Sequence, residues 1–149
     1  MGASRDAELT NHGKVFVFAR DGEVWTEQRQ LSGTTSGAVG AFGNSISLSA
    51  DGSTLAVGAS REDSAASPAM PAFAGSVYVF VRSGTTWTRQ VYLEAVNPGV
   101  GDRFGTSVAL SADGQHLAVG ASLEDSRATG VDSDPADDTA GDAGAVYLF

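Results

Sequence analysis

Phe42-Gly-Asn-Ser-Ile-Ser-Leu-Ser-Ala-Asp-Gly-Ser-Thr-Leu-Ala-Val-Gly-Ala-Ser60 returns 62 positions later as Phe104-Gly-Thr-Ser-Val-Ala-Leu-Ser-Ala-Asp-Gly-Gln-His-Leu-Ala-Val-Gly-Ala-Ser122. Both stretches open on Phe-Gly, turn on Asp-Gly and close on Leu-Ala-Val-Gly-Ala-Ser, and Trp25 and Trp87 stand at the same spacing. A segment copied at a fixed period marks a structural unit, and a unit that cannot bury its own apolar faces must stack on its copies.

Within the unit, Ile46 and Leu48 alternate with Ser45, Ser47 and Ser49, a period of two that predicts a first strand with one face on a core. Asp51-Gly52 predicts a tight primed turn, since Gly takes positive φ without steric cost. The next run, 54–59, is apolar on both faces and small on one, so it predicts a strand covered on both sides and closely approached by a neighbouring sheet. Residues 76–81 read as a third strand, Ser83-Gly84 as its turn and 86–93 as a fourth, with Trp87, Arg89 and Val91 expected on one face. The other copies are partial. Residues 15–31 read as third and fourth strands and 104–149 as first to third, while Gly2-Ala-Ser-Arg-Asp6 parallels Gly58-Ala-Ser-Arg-Glu-Asp63 and so reads as the tail of a second strand. The expected chain is all-β, with nine strands in one domain, 1–149: a partial unit at 1–41, a complete one at 42–103 and a partial one at 104–149, its ends reading as cut.

One connection changes length from copy to copy. From the Gly of the second strand to the Gly before the third, the chain runs from Gly2 to Gly13, from Gly58 to Gly75 and from Gly120 to Gly144. Length variation on a constant scaffold marks surface loops, all expected on one face, where binding usually resides. The longest, Glu124 to Asp142, holds seven of the eighteen carboxylates beside one Arg. Asp132, Asp134, Asp137, Asp138 and Asp142 are close enough in chain to converge on Ca²⁺, which takes six to eight oxygen ligands. The same composition also suits a solvated loop held by its own side-chain to backbone bonds.

Nine basic against eighteen acidic residues, a net charge of −9, argue against nucleic acid and anionic membranes, both of which need a Lys/Arg surface. The apolar runs are strand-sized, too short to cross a bilayer, and Met1–Asp6 has no apolar signal core. With no Cys there is neither disulfide nor thiolate metal site. Catalytic patterns are missing: no Ser stands in Gly-x-Ser-x-Gly, and Gly99-Val-Gly-Asp-Arg-Phe-Gly105 leads into a strand rather than the helix a dinucleotide site requires. His12 and His116 are not equivalent in the repeat and have no Cys or second His nearby. The recurrent Trp is expected to pack between sheets rather than form a sugar-binding shelf.

Four-stranded repeats with Phe42-Gly43 and Phe104-Gly105 opening the first strand, and Gly58-Ala59 and Gly120-Ala121 closing the second, resemble the FG-GAP repeat family of integrin alpha-type β-propellers. The bacterial members with Ser-Ala-Asp-Gly, Leu-Ala-Val-Gly-Ala and Gly-x-Val-Tyr-x-Phe are the most similar, with Ser60 and Ser122 standing where proline is usual. The resemblance implies antiparallel propeller blades, a little over two in this chain. It also implies a non-catalytic binding or interaction module, extracellular or at the cell surface, with a protein or glycan ligand. The calcium-binding hairpin of integrin repeats carries several acidic side chains, whereas 48–55 here has one, so Asp51 and Asp113 are expected to shape turns. A purely structural fragment of a longer propeller is a second reading. A glycan-directed enzyme or lectin is a third; such an enzyme needs two carboxylates about 5 or about 7–9 Å apart. Nine strands leave propeller flanks and edges open, so self-association is expected.

Overall fold

In the computed structural model the described residues are 2–3, 13–33, 40–64, 72–127 and 139–149, and they form ten strands and no helix. The first sheet comprises β1 (Gly2–Ala3), β2 (Lys14–Asp21) and β3 (Val24–Ser32). The second comprises β4 (Phe42–Leu48), β5 (Thr54–Ala59), β6 (Ser76–Ser83) and β7 (Thr86–Leu93), and the third β8 (Phe104–Leu110), β9 (Leu117–Ala121) and β10 (Ala145–Leu148). Every pair within a sheet is antiparallel and joins strands consecutive in the chain. The tenth strand is β1, read from sequence only as a strand tail. Gly2 opposes Val15 and Ala3 opposes Lys14, the register in which Gly58 opposes Val77 and Ala59 opposes Ser76.

The sheets stack face to face, and β5 shows why. Leu55, Val57 and Ala59 point to a cluster holding Val15, Leu31, Phe42, Tyr78, Phe80 and Trp87. Ala56, from the opposite face of the strand, packs with Val77, Val79, Phe104, Leu117, Val119 and Ala121. The central strand is therefore covered on both sides, as its apolar pattern requires. Each fully buried Val, Leu or Phe contributes about 1.5–3 kcal/mol, so these two clusters supply most of the cohesion between sheets.

The first strand departs from expectation. Ile46 and Leu48 oppose Val57 and Leu55 on the face toward the first sheet, yet both are exposed, because among the described residues that sheet has only the two-residue β1 beyond β2. The serines face the third sheet and bind it: Ser45 Oγ donates to the Gly105 carbonyl at 2.8 Å, and the Leu110 N–H donates to Ser47 Oγ at 2.9 Å.

Phe-Gly acts as a bulge with an anchor. Phe42 opposes Ala59 but the next pair is Ser45 with Gly58, and β8 repeats this with Phe104–Ala121 and Ser107–Gly120, so two residues are looped out each time. Gly43 and Gly105 sit at φ +86° and +85°, where a side chain is disfavoured. The Phe rings drop into the cores, Phe42 edge-on to Tyr78 at 5.2 Å and Phe104 edge-on to Tyr147 at 5.3 Å. The displaced Gly105 carbonyl reaches the preceding sheet and occupies the space a Cβ on Gly58 would need. The Phe-Gly of one sheet thus seats against the Gly-Ala of the sheet before it.

Two local expectations are corrected. The Asp-Gly hairpin is not a two-residue primed turn: the Ser49 N–H donates to the Thr54 carbonyl at 2.9 Å and Gly52 N–H to the Ser49 carbonyl at 3.0 Å, with Gly52 alone left-handed at +68°. This is a type I turn inside a four-residue loop, and 111–116 repeats it. In the fourth strand Val79 opposes Val91 but Phe80 opposes Arg89, so a bulge turns Val91 to the face opposite Trp87 and Arg89.

Candidate functional site

The variable connections leave from the end of the second strand, and a buried carboxylate closes that corner in the second and third blades. Glu62 accepts the Tyr78 hydroxyl at 2.9 Å on both oxygens and also the Ser76 hydroxyl. It lies against the crossover from the first sheet: a Cβ on Gly33 would be 2.8 Å from its Oε1, and one on Gly40 2.7 Å from its Cγ. Glu124, the residue one repeat on, accepts Asn97 Nδ2 at 2.7 Å and the Ser126 N–H at 2.9 Å, while Tyr147 donates to Asn97 Oδ1 at 2.9 Å. Ala145 stands where Ser76 stood, and Asn97 of the crossover supplies the missing donor. Burying a carboxylate is costly unless donors surround it, so each Glu ties strand, third-strand Tyr and crossover together. Burial first, then the charges of Glu62 and Glu94, push the neighbouring Tyr92 phenol well above its ordinary range.

The loop bases are equally repetitive. Asp63 Oδ1 accepts the Phe73 N–H at 3.1 Å, and Asp125 Oδ1 accepts the Asp142 N–H at 2.7 Å. Phe73 and Asp142 are both left-handed, at φ +57° and +55°. The Gly75 and Gly144 N–H groups then return to the Glu62 and Glu124 carbonyls at 2.9 and 2.8 Å. One frame therefore closes a span of ten residues in the second blade and seventeen in the third.

Of the expected calcium ligands, Asp142 is at the loop base, and Asp132, Asp134, Asp137 and Asp138 lie outside the described residues. Glu124, grouped with the acidic loop in sequence, belongs instead to the core. Its signal was available: Glu-Asp-Ser recurs at 62–64 and 124–126 while the preceding residue changes from Arg61 to Leu123. Among the described residues no group of three or more His, Asp or Glu is placed to share a metal ion. His12 lies outside the described residues, and His116 is exposed at the 111–116 hairpin.

Asp51 and Asp113 shape their turns. Asp51 Oδ1 accepts Ser49 Oγ at 2.6 Å and both N–H and Oγ of Ser53 at 2.9 Å; Asp113 Oδ1 accepts Ser111 Oγ at 2.5 Å and the Gln115 N–H at 3.0 Å. The Ser49 hydroxyl, then the Ser53 donors, hold the Asp51 carboxyl down to about 2, and Ser111 and Gln115 lower Asp113 in the same way.

The two Trp residues separate. Trp87 is 5% exposed within the first cluster, while Trp25 is 63% exposed on the outer face of the first sheet, so the packing role holds for Trp87 alone in this chain. Arg82 and Arg20 lie over the respective rings, each at 5.8 Å. Trp87 Nε1 and Gln28 Oε1 are buried without a hydrogen-bond partner among the described residues.

A search of curated proteins found no match. The family model of the FG-GAP repeat matches residues 25–80 and 87–149, the second match spanning the whole third sheet. With that match over most of its length, and with Phe-Gly bulges seated against Gly-Ala strands in sheets built as propeller blades, the chain belongs to the FG-GAP repeat family.

Proposed function

We propose that the chain is a non-catalytic binding module of an extracellular or cell-surface protein, presenting the connections between second and third strands to a protein or glycan. In this reading it completes a propeller through further blades or by self-association. The supporting observation is the repeated loop base: Asp63 and Asp125 clip Phe73 and Asp142 across spans of ten and seventeen residues. A frame indifferent to the length it closes lets the loop diversify without unfolding the blade.

The test exchanges the loops. Replacing 126–141 by 64–72 retains the Asp125 clip and is expected to leave the blades folded while abolishing binding in glycan-array and protein-panel screens of the parent chain. Undiminished binding by the exchanged chain would move the ligand site off these loops. Any calcium belongs to the same connection, since Asp51 Oδ1 is already occupied by three donors. Calorimetry with Ca²⁺ is expected to show binding by the parent and loss in an Asp134→Asn/Asp138→Asn variant.

A further inference from the structure

Among the described residues, both contacts between blades join two unlike faces. One face carries the large residues of alternate strand positions, Tyr78, Phe80 and Trp87 in the second blade; the other carries small or β-branched ones, Ala56, Val77 and Val79. The first blade offers its small face, Val15 with Val17, to the large face of the second. The second offers Ala56, Val77 and Val79 to the third, whose Phe104, Val119 and Tyr147 receive them. Among the described residues two faces stay exposed, one of each kind. The first blade shows Phe18 and Trp25, which correspond to Phe80 and Trp87; the third shows Val146 and Leu148, which correspond to Val77 and Val79.

The exposures measure what is missing. Val77 and Val79 are 0% and 7% exposed, and Val146 and Leu148 are 71% and 76% exposed. Between Ser107, Gly120 and Val146 lies a hollow of about 330 Å³. On the second blade the corresponding place, beside Ser45 and Gly58, is filled by the Gly105 carbonyl of the next blade.

We propose that these two faces bind each other between copies: the Phe18/Trp25 face of one molecule docks on the Val146/Leu148 face of a second, in the large-on-small register that joins blades within the chain. The two outer faces continue that internal interface, which the molecule builds twice from equivalent residues. A symmetric dimer would pair large with large or small with small, and neither pairing occurs inside the chain. Head-to-tail contact is heterologous, so copies add until a ring closes or a filament grows. The inference rests on the self-association in the reading above and specifies its geometry.

The test uses the full chain and two variants altered only at exposed positions, Phe18→Lys/Trp25→Lys and Val146→Lys/Leu148→Lys, each checked for parental circular dichroism and thermal unfolding. Sedimentation velocity is expected to show the parent as a series above monomer mass and each variant alone as monomer. An equimolar mixture of the variants is expected to give a dimer, because one contributes an intact small face and the other an intact large face. A parent that stays monomeric overturns self-association altogether. A parent that associates while the mixture does not complement, or a single variant that still self-associates, overturns the head-to-tail geometry alone and points to edge pairing. A variant that misfolds is replaced by its Ser counterpart at the same positions, and the same outcomes are read.

Discussion

The second and third blades are near copies in sequence and differ in what covers them. Ala56, Gly58, Val77 and Val79 of the second are sealed by the third, whereas Ala118, Gly120, Val146 and Leu148 of the third face outward. Residue type therefore sets which face a side chain takes, while burial is set by whether a neighbouring blade is seated there. A Trp at one repeat position can be a core residue in one copy and a surface residue in the next.

The largest effect expected from this contrast is at the Trp pair. Trp87→Ala should cost about 3–5 kcal/mol in denaturant unfolding, a large share of a typical domain's stability, because it empties a packed interface. Trp25→Ala, measured in solution dilute enough to keep the chain monomeric, should cost under about 1 kcal/mol, the scale of an exposed ring and its Arg contact. Equal costs would mean that the two rings are buried alike.

The buried carboxylates should behave alike in both blades, since each faces the crossover from the blade before it. Glu62→Ala and Glu124→Ala are each expected to cost about 1.5–3 kcal/mol, the range for hydrogen bonds to a charged group. A cost confined to Glu62 would mean that the third blade's corner needs a following blade to form.

Smaller and more discriminating is the Gly pair. Gly58→Ala places a Cβ on the Gly105 backbone carbonyl of the next blade and should cost about 1–3 kcal/mol by forcing the sheets apart. Gly120→Ala meets only the Ser107 hydroxyl, a side chain that can rotate, and is expected to change stability by under about 0.5 kcal/mol. The two melting curves decide between them.

The smallest expected effect lies on the exposed hairpins, which blade stacking does not touch. The folded Asp51 carboxyl sits at about 2, below its ordinary 3.8, so its stabilisation is complete above about pH 4 and is lost as pH falls toward 2. The stability difference between parent and Asp51→Asn should therefore be greatest near neutral pH and fade toward pH 2. Asp113→Asn should follow the same course, as its carboxyl is lowered by the same kind of Ser and backbone donors.

Much of this architecture was legible from the repeat. The strand order, the doubly covered β5 and the close approach at Gly58 follow from periodicity and from where small residues fall. What escaped were features set by backbone geometry and by neighbours. A single extra residue in β7 turns Val91 away from Trp87 and Arg89, and no side-chain pattern announces a bulge. Glu124 read as one charge among many because composition cannot tell a solvated carboxylate from one enclosed by Asn97 and Ser126. Ile46 and Leu48 carried a core pattern that was correct for their face, yet they stay exposed where, among the described residues, no further strand of the first blade lies above them.

Whether the outer faces are the same surfaces the chain buries internally can be read from the two Trp residues as reporters. In Trp25→Phe only Trp87 emits, and in Trp87→Phe only Trp25 does, so acrylamide quenching can be followed for each ring across protein concentration. Trp87 is expected to be shielded and blue-shifted at every concentration, while Trp25 is quenched in dilute solution and becomes shielded as the chain associates. Trp87 as open to quencher as Trp25 in dilute solution, or Trp25 still open in the associated state, would contradict this expectation.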